Sequence, residues 1–175
     1  MKEYKNILRN AELIADKAYK DTNDLMPSTF SLIKWLEEKF YVRIKVSHTD
    51  SNEFKRSGLV YFDPKIKSYR IWINLNEPEY RQRFTLCHEI GHIIRNISLI
   101  YGFSTGNIYS KWGLERFCDR FAAAYLIPAD MFISKWKAIR EPIYLKKARF
   151  ASFFKVSGDA VYYRALELGL IKERR

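Results

Sequence analysis

This 175-residue sequence predicts an α+β fold, mainly helical, with one small sheet in its middle. Three observations carry the prediction. Apolar residues recur at helical spacing over the first 40 residues; residues 41–76 change to short runs rich in β-branched and aromatic side chains; helical spacing then returns from Phe84 towards the C-terminal end. A chain of this length with 47% hydrophobic content can bury one full core, and two small domains would be hard to build from it.

The elements follow in order. Tyr4, Ile7, Leu8, Ala11, Ile14, Ala15 and Ala18 keep the period of one helix, and Phe30, Ile33, Leu36 and Phe40 that of a second, after Pro27-Ser28. Val42 to Val46, Gly58 to Phe62 and Tyr69 to Leu75 read as strands, with Asp63-Pro64 through Lys67-Ser68 as a hairpin connection between the last two. The third run, through Tyr69, Arg70, Ile71, Trp72 and Ile73, is expected at the edge of the sheet beside the cleft, where it would hold an extended polypeptide, because it immediately precedes the next helix. Asn76 is placed to cap that helix, with Glu79 three residues on. Gly102 to Gly113 reads as a glycine-bearing loop at the rim of a cleft. Beyond it lie two further helical stretches, Lys146 to Phe154 and Asp159 to Leu168, separated by Val156-Ser157-Gly158 in the manner of a helix-turn-helix.

The chemistry is concentrated in His88-Glu89-Ile90-Gly91-His92, an H-E-x-x-H pattern inside a segment that reads as helix. At spacing i, i+4 both imidazoles project from one face, where two neutral nitrogens can chelate one divalent metal. Glu89 emerges beside that face, close enough to take a proton from a water at the metal. The chain has three histidines, and the third, His48, reads as an ordinary surface residue near a strand end. Apolar residues at 84, 86, 87, 90, 93 and 94 form a stripe next to the histidine face, so one side of the helix is buried and the other is free to hold an ion.

A catalytic zinc needs a third protein ligand and an open fourth position. Arg95 and Ser98 stand where the metzincin extension H-E-x-x-H-x-x-G-x-x-H would continue, so that class is excluded. The next helical segment, Leu114 to Pro128, carries Glu115 and Asp119 one turn apart on one face. One carboxylate could bind metal while the other holds the second ring nitrogen of a ligand histidine. Without the first motif, this pair would read as a solvated charged face between Arg116 and Arg120.

RFTLCHEIGH, followed by ERFCDRFAAAYLIP, closely resembles the ImmA/IrrE family of metallo-endopeptidases, whose usual wording is RFTLAHELGH and E-R-E-A-N-x-F-A-A-x-L-L-M-P. The resemblance is specific in the two motif helices and loose elsewhere. It implies a zincin-like single domain, mainly helical, with a small mixed or antiparallel sheet before the H-E-x-x-H helix and a helical C-terminal region. It implies a gluzincin layout: His88, His92 and Glu115 as metal ligands, Glu89 as general base, Asp119 as the outer partner of a ligand histidine. The implied ion is zinc, with manganese also compatible with nitrogen and oxygen donors. The implied activity is proteolysis of a helix-turn-helix, XRE-type repressor encoded nearby in a phage, mobile element or stress-response operon, with a non-hydrolytic antirepressor as the alternative. Phe117, Cys118, Asp119 and Cys87 depart from the family wording without removing a ligand. Cys87 and Cys118 stand where the family has alanine and read as small core residues.

Charge is uneven: residues 1–80 hold 14 basic and 12 acidic side chains, whereas residues 133–175 hold 11 and 4. The expected organisation is a peptidase core over 1–132 and a basic, helix-turn-helix-like subdomain over 133–175 packed on it. That basic region suits an acidic partner, protein or nucleic acid. Structural helical hairpins far outnumber DNA readers, so direct DNA binding is the minor reading. With no run of 18 apolar residues, no signal-peptide core and no disulfide framework, a cytoplasmic location is expected.

Overall fold

The computed structural model describes residues 2–101 and 111–172, with side chains at 5–98 and 111–172. Helices α1 (Lys2–Thr22) and α2 (Thr29–Phe40) precede three strands, β1 (Ile44–Thr49), β2 (Gly58–Asp63) and β3 (Ser68–Asn74). Helices α3 (Glu79–Tyr101), α4 (Lys111–Leu126), α5 (Ala129–Ala138), α6 (Ile143–Phe154) and α7 (Gly158–Glu167) complete the fold. The architecture is α+β, as the periodicities predict. Among the described residues, no helix is long and apolar enough to cross a membrane.

Local chemistry sets the boundaries. The Ser28 hydroxyl accepts the Ser31 N–H to start α2, and Tyr41 ends it in the left-handed region. Ser157 repeats the capping device for α7, accepting the Ala160 N–H, directly after Lys155 has closed α6 at φ 52°. Helix α3 starts after Pro78, whose carbonyl accepts from the Arg81 and Gln82 N–H groups. Asn76 therefore does not cap it; its amide donates to the Asp50 carbonyl instead. Proline stops the chain from extending the helix backwards to Asn76.

The sheet has the order β1-β3-β2, with β1 parallel and β2 antiparallel to β3. The β2–β3 hairpin forms where the Asp63 to Ser68 connection predicts it. The edge assignment for Tyr69 to Ile73 is overturned: β3 is the central strand, paired on both sides, and its edge-facing role belongs to β2. The reason is burial. Ile71 and Ile73 are fully buried against the helices, whereas β2 exposes Tyr61 and Phe62, and the most apolar strand takes the most enclosed position.

The core sits where α4 packs between α1 and α3. Small residues on α1, Ala11, Ala15 and Ala18, are fully buried and let α4 approach with Phe121, Ala122 and Tyr125. Gly91 does the same for α3: a Cβ there would lie 2.9 Å from the Cys118 Cα. At the far end Phe132, Trp136, Phe150 and Phe154 stack with ring centroids 5.1–6.1 Å apart, joining α5 and α6 to the same core. Each buried aromatic side chain contributes about 1.5–3 kcal/mol by removal from water. Arg83 of α3 donates to the Phe154, Lys155 and Pro27 carbonyls, so the motif helix is pinned to both the α1–α2 connection and the α6–α7 turn. The segment expected as a rim over the cleft lies, at 102–110, outside the described residues; Lys111, Trp112 and Gly113 belong to α4.

Candidate metal centre

The two motif helices face each other across the close approach at Gly91, and this brings their polar side chains to one point. His88 Nε2 and His92 Nε2 are 3.3 Å apart. Glu115 reaches the same place from α4, with Oε2 3.2 Å from His88 Nε2 and Oε1 3.9 Å from His92 Nε2. On the far side of the His88 ring, Nδ1 donates to Asp119 Oδ1 at 2.9 Å. That bond fixes the tautomer with the Nε2 lone pair turned inward.

The donor set fits a divalent ion. Two imidazole nitrogens and a carboxylate converge on one point, where a divalent cation could sit among them. With metal–nitrogen distances of about 2.0–2.1 Å, tetrahedral ligand atoms stand about 3.3 Å apart, close to the separations seen around His88. Burial and the neighbouring His88 hold the His92 pKa below its ordinary value, which keeps its ring neutral. For His88 burial acts downward, but the Asp119 hydrogen bond and charge, with Glu89 and Glu115 beyond, outweigh it and leave the pKa raised. Cys118 also lies near, its Sγ within 4.8 Å of donor atoms on both histidines. Its thiol packs against Gly91, and burial together with the charges of Glu115, Asp119 and Glu89 pushes its pKa up. Cys87 is fully buried and is pushed up to about 12.

Glu89 lies against the start of β2, in the same cavity as His88. It is 8% exposed, and burial raises its pKa, opposed by the charges of His88 and Arg56 and by a backbone hydrogen bond from Val60. Gly58 is what allows this: a Cβ there would stand 2.5 Å from Thr85 Cγ2 and 2.9 Å from Glu89 Oε1. Strand β2 thus runs directly over the Glu89 carboxylate. A cavity of about 510 Å³ opens here, lined by Arg56, Gly58, Arg81, Thr85, His88 and Glu89 among others. The five residues singled out by their spacing are brought together; Arg56, Gly58, Arg81 and Thr85 are additions from the structure. A glycine beginning an otherwise apolar strand was the one sequence signal for any of these.

A profile of the IrrE N-terminal-like domain, Peptidase M78, matches residues 41–166. The chain belongs to this metallopeptidase family. No curated protein sequence matches it. Among solved structures, a Mycobacterium tuberculosis transcriptional regulator has a similar fold, with a TM-score of 0.63 at 15% identity over 94% of this chain. The chain spans 52% of that regulator's length.

The matched residues run through α6 and most of α7, so the helical end is part of the family fold. Several of its cations are engaged within the molecule. Lys146 donates to the Trp136 carbonyl and lies over that ring, Lys147 pairs with Asp159 at 2.7 Å, and Arg149 pairs with Glu141. Helix α7, in the position of a DNA-reading helix, carries one basic residue, Arg164, and it is buried against Glu12, Glu167 and the Ile127 carbonyl. Its outer face therefore lacks the cations that contact phosphates and base edges.

Proposed function

We propose that the protein is a metal-dependent endopeptidase that holds one zinc ion through His88, His92 and Glu115 and cleaves a helix-turn-helix, XRE-type repressor encoded near it, in the cytoplasm where such repressors act. Manganese is a compatible substitute for zinc in this donor set. The observation that carries the enzymatic reading is Glu89: a carboxylate buried next to His88, under an edge strand whose Val60 N–H it accepts, and lining a cavity with His88 and Arg56. When bound, the ion supplies Lewis acidity, which polarises a peptide carbonyl and lowers the pKa of a water to about 7.

The side chains divide the remaining work. Glu89 accepts the proton of the attacking water and returns it to the leaving amine. Asp119 orients His88 through Nδ1 and so sets the direction of its Nε2 lone pair. The open edge of β2, beginning at Gly58 over Glu89, gives an extended substrate main chain a partner for strand-like pairing beside the cavity.

The regulatory substrate is supported by the family membership and by the fold shared with a transcriptional regulator. Incubation of the co-encoded repressor with wild-type protein and with Glu89→Gln tests the proposal. Wild type should cut it, and the variant should bind metal and repressor while losing about 10² to 10⁴ in rate. If Glu89→Gln relieves repression as well as wild type does, the protein works as a non-hydrolytic antirepressor.

A further inference from the structure

The metal cavity does not end at His88. A second cavity of about 660 Å³ adjoins it between α3, α4 and α7, and Arg81, Phe84 and Asp119 line both. Together they form one trough leading away from Glu89 towards the α6–α7 turn. Apart from Glu89, its acidic side chains each have an internal partner: Asp119 has His88, Asp159 has Lys147, and Glu167 has Arg120 and Arg164. On the basic side, Arg81 is exposed, with Glu77 3.8 Å away in the connection that precedes its helix, and Arg116 is exposed, lying over the Trp112 ring. Phe84 and the exposed ring of Tyr163, which is 62% accessible, give apolar lining to the same cavity as Arg81.

We infer that this trough is a specificity subsite that takes an acidic side chain next to a bulky apolar one in the polypeptide bound at the metal cavity, with Arg81 as the charge-selecting residue and Phe84 and Tyr163 as the apolar contacts. A cation and aromatic rings lining one cavity match that pair of neighbouring side chains and disfavour a basic one. The inference rests on the peptidase reading for its substrate class. It also gives α7 a use that needs no cation on its outer face.

The test uses full-length, zinc-loaded Glu89→Gln protein and a synthetic array of extended peptides varied in charge and apolar content, with binding as the readout. Peptides carrying the acidic–apolar pair should be captured preferentially, more strongly at low salt. Arg81→Glu should weaken their capture by about tenfold and favour basic peptides, while Arg81→Lys largely restores the original order. Tyr163→Ala should reduce the apolar preference and leave the charge preference in place. An unchanged preference in Arg81→Glu with its metal intact, or no capture of any peptide, overturns the subsite. If captured peptides are left uncut by the wild type, the peptidase reading fails and the subsite stands; if peptides are cut without charge preference, the subsite alone fails.

Discussion

Asp119 Oδ1 accepts a hydrogen bond from His88 Nδ1 at 2.9 Å, and so a side chain on α4 decides which nitrogen of a side chain on α3 faces the cavity. Asp119→Ala should weaken zinc affinity by about 10- to 100-fold without abolishing it, measured by competition with a chromophoric chelator. Asp119→Asn, which keeps an oxygen acceptor, should fall between the two. Complete loss of metal in Asp119→Ala, with retention in Glu115→Ala, would mean the two carboxylates have exchanged roles.

Gly91 is required by packing rather than by backbone conformation. Alanine at this helical position would gain about 1 kcal/mol in intrinsic propensity. Its Cβ would also stand 2.9 Å from the Cys118 Cα and 3.1 Å from Sγ, and the nearest atom is backbone that cannot move alone. Overpacking of this kind costs about 1–3 kcal/mol. Gly91→Ala should therefore lower the thermal midpoint, and Cys118→Ala should rescue it only in part, because removing the sulfur leaves the clash with the α4 backbone. A midpoint equal to or above that of wild type would show that α3 and α4 can separate freely.

The site was more legible in the sequence than the sheet. His88, Glu89, His92, Glu115 and Asp119 lie within two helices, where spacing alone determines the face, and the packing of α3 on α4 brings the faces together. Strand order depends on partners distant in sequence, and nothing within Tyr69 to Ile73 states how many neighbours it has. The alternation that buries Ile71 and Ile73 suits an edge or a centre equally, and only the exposure of Tyr61 and Phe62 on β2 separates them. Arg81 and Arg56 carry no signal in the sequence, because their value comes from the cavities beside them. The basic C-terminal residues were misleading in the opposite direction: Lys146, Lys147 and Arg149 count towards net charge, yet each has an internal partner.

Asp21 ties α1 to α2, accepting from Lys39 Nζ at 2.8 Å, Trp35 Nε1 at 3.0 Å and Lys17 Nζ at 3.1 Å. These donors, Lys39 first, hold its carboxyl well below the usual carboxylate range. A depressed folded pKa means that the contribution is fully present above the unfolded value of 3.8 and is lost as pH falls from there towards the folded value. Asp21→Asn should thus be less stable than wild type at neutral pH in urea unfolding, and the gap should narrow once pH drops below about 4. A gap that stays constant across that range would remove Asp21 as an electrostatic tie.

The measurement that bears most directly on the metal centre is the metal content per chain of chelator-free wild-type, His92→Ala, Glu115→Ala and Cys118→Ala proteins, by elemental analysis. His88, His92 and Glu115 acting as the ligands predicts about one zinc per chain in the wild type and in Cys118→Ala, and none in His92→Ala or Glu115→Ala. Metal retained at the wild-type level in His92→Ala, or lost from Cys118→Ala and kept in Glu115→Ala, would contradict that ligand set and with it the catalytic role given to Glu89.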